Sequence, residues 1–181
     1  MKIALFGGSF DPPHLGHQAV IQWLLEEGNF DEVWILPSFS HPFQKPLSDF
    51  NDRLTLCKLA FEQDENQVKV LEIEKEFAPG PVYSIDVVQK LREQFPQTQF
   101  SFVIGSDLKI RLNEWKDIET LKRWVDFIFI PRSGFETSPF PKISSTDLRR
   151  LFQEKPIPLK KISSLVPEKV LQYILSQGLY T

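Results

Sequence analysis

The chain has 181 residues, 41% of them hydrophobic, which suits one domain of ordinary size with a substantial core. A formal charge of −3 with 25% charged residues lacks the global basic excess that binding by phosphate neutralisation needs, so no nucleic-acid partner is expected. The single Cys57 excludes an intrachain disulfide, and no apolar run approaches the roughly 20 residues that cross a bilayer. Met1-Lys2 leads straight into a strand-like run rather than a signal peptide, and a cytoplasmic protein with no membrane role is expected.

In chain order, short apolar runs alternate with stretches of helical period, the pattern of parallel βαβ units. Strands are predicted at Lys2–Phe6, Glu32–Leu36, Val68–Ile73, Phe100–Ile104 and Val125–Ile130. Continuous apolar stretches such as Val33-Trp34-Ile35-Leu36 fit strands covered on both faces. Helices are predicted at Leu15–Glu27, about Asn51–Glu62, Ser84–Phe95 and about Ile118–Trp124. Another starts around Ser144-Ser145-Thr146-Asp147, whose side chains can cap free N–H groups, and the last runs from about Pro167 to Gln177 before Gly178. The expected fold is α/β: a doubly wound, mostly parallel, Rossmann-like sheet of five to six strands in one domain over residues 1–181, with a small helical subregion from about 144 to 181. Three proline-bearing stretches, Pro37–Leu47, Phe77–Val82 and Arg132–Lys142, are read as loops over one sheet edge, where open parallel sheets bind ligands.

Residues 6 to 17 read Phe6-Gly7-Gly8-Ser9-Phe10-Asp11-Pro12-Pro13-His14-Leu15-Gly16-His17. Glycines let backbone N–H groups approach a ligand, and the helix that follows begins with unpaired donors and a partial positive charge. That junction suits an anion, phosphate above all. The dinucleotide fingerprint G-x-G-x-x-G is missing, as is the G-x-x-x-x-G-K-[ST] loop. His14 and His17, three apart on a helix, can also be read as metal ligands, although only His41 and Cys57 remain as soft partners and their spacing matches no zinc pattern. A plain turn with two hydrogen-bonded histidines is the remaining alternative.

The string closely resembles the G-G-[ST]-F-D-P-x-H-x-G-H signature of the nucleotidylyltransferase superfamily, and Ile143-Ser144-Ser145-Thr146-Asp147-Leu148-Arg149 resembles its second signature, I-S-S-T-x-[IL]-R. Further stretches are similar to the bacterial nicotinate-nucleotide adenylyltransferase family: Ile104-Gly105-Ser106-Asp107, Trp115, Arg132-Ser133-Gly134, and a closing Val166-Pro167, Val170, Tyr173-Ile174 and Gly178-Leu179-Tyr180. The resemblance spans nearly the whole chain. It implies a nucleotidylyltransferase fold and transfer of AMP from ATP, with Mg²⁺, onto nicotinate mononucleotide, which gives nicotinate adenine dinucleotide and pyrophosphate in NAD biosynthesis.

The resemblance also assigns roles. His14 and His17 donate to the ATP phosphates, with His17 nearest the α-phosphate, while Gly7, Gly8, Ser9 and Phe10 let the backbone approach and Gly16 leaves space for adenosine. Ser144, Ser145 and Thr146 open a helix toward the β- and γ-phosphates, Ile143 joins them in the ATP site, and Arg149 adds a forked cation. Gly105 and Asp107 join the ATP site, Asp107 at a ribose or a magnesium-bound water. Lys45 would reach the transferred phosphate as a fourth catalytic group beside His14, His17 and Arg149. Here the loop departs from the family pattern of two prolines, His and a basic residue: it reads His41-Pro42-Phe43-Gln44-Lys45, and His41 is a candidate substitute for the displaced histidine. Tyr83, Ser84, Trp115, Arg132 and Lys45 would bind the pyridine mononucleotide. Stacking on Trp115 suits its flat ring, and N–H groups at the Ser84 helix start suit a carboxylate.

Other readings stay open at this point: another phosphorylated acceptor, such as nicotinamide mononucleotide, phosphopantetheine or a sugar phosphate, or a nucleotide-binding regulatory module without catalysis. Oligomeric state, a homo-oligomer included, is not legible.

Overall fold

The computed structural model describes residues 1–40, 46–62, 66–131 and 139–181. Among them five strands form one all-parallel sheet in the order β3-β2-β1-β4-β5. The strands are β1 (Lys2–Gly8), β2 (Glu32–Pro37), β3 (Val68–Val70), β4 (Gln99–Gly105) and β5 (Asp126–Ile130). The helices are α1 (Leu15–Glu26), α2 (Phe50–Phe61), α3 (Ser84–Gln94), α4 (Ile118–Trp124), α5 (Ser145–Gln153), α6 (Leu159–Ile162) and α7 (Glu168–Gln177), with 3₁₀ segments at Ile73–Phe77 and Ser106–Glu114.

Alternation along each strand divides its side chains between two buried faces. Ile3 and Leu5 join Trp34, Leu36, Phe100, Phe102 and Ile104 beneath α3 and α4. Ala4 and Phe6 join Val33, Ile35 and Val103 on the other side, against α1, α2, α5, α6 and α7. The sheet is therefore doubly wound, and its order turns about β1 and β4, which pair directly from Lys2↔Gln99 to Phe6↔Val103. A crevice is expected at such a switch point, beyond the carboxyl ends of the two strands. Both ends are glycine, Gly8 and Gly105.

Two sequence expectations are corrected. β3 stops at Val70 instead of continuing to Ile73. The Leu71 N–H still donates to the Ile35 carbonyl at 2.9 Å, but the next ladder donor on β2 would be Pro37, which has no N–H. The chain turns instead into the 3₁₀ segment, which takes Phe77 from the expected loop. α6 and the 3₁₀ segment at Ser106–Glu114 carry too little periodicity to be read in advance. Among the described residues no helix is long and apolar enough to cross a membrane.

Candidate active site

β1 delivers the chain to the crevice through Gly7 and Gly8. A Cβ on Gly8 would stand 3.2 Å from the Phe10 ring, and one on Gly7 would meet Phe102 at 3.4 Å. Phe10 itself adopts the left-handed region (φ 47°), which side chains resist, and its buried ring contacts Phe6 at 5.5 Å and His17 at 4.9 Å between centroids. This packing aims the loop into α1.

His14 is the N-cap of α1, and its N–H donates to His17 Nδ1 at 3.1 Å. The two imidazoles stack at 3.7 Å with planes 23° apart. With Nδ1 accepting, the neutral His17 ring carries its proton on Nε2, the edge turned away from that backbone. The pair is thereby set as donor and helix cap in one unit. A Cβ on Gly16 would stand 3.0 Å from His14 Nδ1 and 3.4 Å from the Pro141 carbonyl. In the structure the room at Gly16 is thus occupied by the His14 ring.

The second motif approaches from α5. Ser144 caps the helix by accepting from the Asp147 N–H at 3.2 Å. Ser145 Oγ donates to the Pro12 carbonyl at 2.8 Å, and Arg149 Nη1 donates to the Asp11 carbonyl. Arg149 Nη2 also donates to Thr146 Oγ1 at 3.3 Å. Residues i and i+4 of one helix face therefore hold two successive carbonyls of the first motif.

Beneath this junction lies a buried polar cluster. Asp11, 1% exposed, accepts from Tyr180 Oη at 2.7 Å and from the Ser48 N–H at 3.3 Å. Arg53, also 1% exposed, donates through Nε to the Ser48 carbonyl and through Nη1 to the Ser9 carbonyl, each at 2.9 Å. Burial pushes the Arg53 guanidinium pKa down and nearby Asp11 pulls it back up. Sequence reasoning missed Arg53. Its signal was there: a charge on the inward stripe of α2, between Phe50 and the buried Cys57.

The resulting cleft encloses about 360 Å³. Gly7, Gly8, Ser9, Phe10, His14, Gly16 and His17 line it from the first motif. Ile143, Ser144, Ser145, Thr146 and Arg149 line it from the second, and Gly105 from the end of β4. Asp107 lies outside that lining, on the first turn of the 3₁₀ segment after Gly105. Trp115 closes the same segment on the opposite sheet face, edge-on to Phe102 at 5.9 Å and to Phe127 at 6.2 Å. Tyr83, 36% exposed, precedes Ser84 at the start of α3 and has Lys116 Nζ 4.7 Å above its ring. His41, Lys45 and Arg132 fall outside the described residues.

A parallel sheet of this order with a donor-rich, glycine-floored cleft at its switch point defines a nucleotide-binding α/β protein. The family model described as cytidylyltransferase-like matches residues 5–151. The nicotinate-nucleotide adenylyltransferase of Bacillus subtilis is 34% identical, with 99% of this chain and 98% of that protein covered. A relative from Anaeromyxobacter dehalogenans, described as "Probable nicotinate-nucleotide adenylyltransferase", is 35% identical, with 99% and 96% covered. Among solved structures, Plasmodium falciparum nicotinic acid mononucleotide adenylyltransferase complexed with NaAD superposes with a TM-score of 0.85 at 23% identity, over 99% of this chain and 97% of that one, a likeness of fold. The chain belongs to the cytidylyltransferase-like family and, within it, to the nicotinate-nucleotide adenylyltransferases.

Proposed function

We infer that the protein transfers AMP from ATP to nicotinate mononucleotide, releasing pyrophosphate. The acceptor phosphate oxygen is already ionised at neutral pH. It forms a new bond to the α-phosphorus as the bond to the β-phosphate oxygen breaks, so no strong general base is needed. Positioning and charge stabilisation carry the reaction. One observation supports this reading above the others: Ser145 and Arg149 hold the carbonyls of Pro12 and Asp11, which brings both donor-bearing motifs to one cleft.

In this reading the Nε2 proton of His17 meets the α-phosphate, where negative charge grows in the transition state, and His14 holds His17 in place while facing the same phosphates. The N–H groups that open α5 and the Arg149 fork receive the β- and γ-phosphates. Gly7, Gly8, Ser9, Phe10, Gly16, Gly105 and Ile143 shape the rest of the ATP site, with Asp107 beside it. Among the described residues no group of three or more His, Cys, Asp and Glu side chains could hold a metal ion. A Mg²⁺ ion suits this donor set as a partner of ATP oxygens and water, where it would neutralise phosphate charge. Tyr83, Ser84, Trp115 and the loops carrying Lys45 and Arg132 serve the pyridine mononucleotide. The chain acts as a single domain in the cytoplasm.

Incubation with ATP, Mg²⁺ and either nicotinate or nicotinamide mononucleotide, followed by pyrophosphate measurement, tests the assignment. Release is expected with nicotinate mononucleotide. No release with either acceptor would sink the reading.

A further inference from the structure

Tyr180 does not line the cleft, yet its hydroxyl reaches Asp11 Oδ1 at 2.7 Å across 169 residues. The local chain is built for that reach. α7 ends at Gly178 in the left-handed region (φ 63°), whose N–H donates to the carbonyls of Ile174 and Leu175. The Leu179 N–H also returns to the Ile174 carbonyl, at 3.0 Å. This is a glycine-capped helix end that reverses the chain. Tyr180 follows in the same unusual region (φ 66°), and its ring tilts against Phe152 of α5 at 5.9 Å. Two left-handed residues within three positions thus turn one phenol back beneath the second motif. At Gly178 this region carries no strain, whereas at Tyr180 it persists only where surrounding contacts over-determine it.

Asp11 is where the two motifs meet. One carboxylate oxygen takes the Tyr180 hydroxyl. The other takes the Ser48 N–H and lies 3.8 Å from Arg149 Nη1. The Asp11 main-chain carbonyl accepts from the same guanidinium nitrogen. Phe10, just before it, is held at φ 47°. Fixing the Asp11 side chain therefore fixes the peptide that seats Arg149 and, one residue on, the Pro12 carbonyl that seats Ser145.

We propose that Tyr180 is a positioning residue for the nucleotide cleft, its hydroxyl holding Asp11 so that Arg149 and Ser145 stand at the phosphate-facing wall. The inference rests on reading that wall as a triphosphate site. Burial, and then the neighbouring Asp11 carboxylate, push the Tyr180 phenol pKa well above its ordinary range. The hydroxyl consequently remains a donor at every pH at which the enzyme would be assayed.

The test compares the full chain with its Tyr180→Phe variant, which keeps the ring and deletes the donor. Binding of a non-hydrolysable ATP analogue with Mg²⁺ is measured by calorimetry beside thermal unfolding. Tyr180→Phe is expected to weaken analogue binding about tenfold, the effect of losing one hydrogen bond to a charged group, while the KM for nicotinate mononucleotide stays unchanged. In an Arg149→Lys background the further loss from Tyr180→Phe should shrink to about threefold, because part of the hydroxyl's effect runs through Arg149 and the rest through Ser145. Unchanged analogue binding in Tyr180→Phe overturns the proposal, and so does a full loss that persists beside Arg149→Lys. Should Tyr180→Phe fail to fold, Tyr180→Met replaces it, since the thioether side chain fills the space without a hydroxyl donor. The same tenfold loss is expected, and unchanged binding is again fatal. Failure of the unaltered chain to bind the analogue strikes the triphosphate reading itself, whereas equal binding by chain and variants strikes the role of Tyr180 alone.

Discussion

The Ser145 hydroxyl and the Pro12 carbonyl meet at 2.8 Å across 133 residues of chain. One turn further along α5, Arg149 holds the carbonyl before it. Contacts within the chain therefore set the spacing between the histidine pair and the α5 N-terminus, which is the kind of preorganisation that charge stabilisation needs.

His17 combines a cap with a donor, and the two can be separated. His17→Ala should lower kcat/KM by roughly 100- to 1,000-fold, as removal of one transition-state donor does. It should also cost about 1 kcal/mol in stability, because the His14 N–H loses its acceptor. His17→Gln places a normal capping-box partner at the third helical position and should recover the melting temperature without recovering activity. Recovery of both would move the chemistry away from the imidazole.

Arg149 presents its two terminal nitrogens to different acceptors, the Asp11 carbonyl and Thr146 Oγ1. A lysine ammonium keeps the charge and loses that planar fork. Arg149→Lys should reduce kcat/KM with respect to ATP by roughly tenfold or more with little change in melting temperature. Near-normal kinetics in steady-state pyrophosphate assays would assign Arg149 to the surface.

Arg53 is the buried cation whose removal should be felt mainly in stability. Arg53→Met fills similar space and strands the Ser9 and Ser48 carbonyls. It also removes one of the cations near the buried Asp11 carboxylate, leaving Arg149 Nη1 3.8 Å away as its neighbouring charge. The expected loss is on the order of 3 to 5 kcal/mol, seen as a lower denaturant midpoint at unchanged slope.

Glu74 supplies a pH dependence. Its carboxylate accepts from the Phe39 N–H at 2.8 Å, and burial pushes its pKa from 4.5 up to about 7, against the opposing pull of that N–H and of Arg53. The folded state then holds the proton more tightly than the unfolded one, so Glu74's contribution to stability is full below pH 4.5 and is lost as pH rises through about 7. Glu74→Gln should flatten that decline in unfolding curves taken across this interval. An equal decline in both proteins would remove Glu74 as its source.

Much of this was legible in the sequence because strand alternation and helix period record burial directly. Ile3 and Leu5 against Ala4 and Phe6 divide between two faces as alternation requires, and α1 and α4 fall within a residue of their expected limits. The end of β3 was not legible, since it depends on Pro37 of a neighbouring strand. What the inward Arg53 of α2, Ser48 and the closing Tyr180 hold is not written in their local patterns. Their partners lie 44, 37 and 169 residues away, and only the assembled fold brings them to one loop. Trp115 and Tyr83 were readable as residues, while their position across the sheet from the histidines depends on how β4 continues into its 3₁₀ segment.

The left-handed turn at Gly178 has a consequence for the order in which the molecule becomes competent. A nascent chain can pair β1 with β2 and dock α1 early, yet the Asp11 carboxylate gains its Tyr180 donor only after residue 180 has been made. Closing a loop of that length costs chain entropy, which the contact must offset. Nucleotide can therefore stabilise by mass action the finished molecule in which that donor is in place.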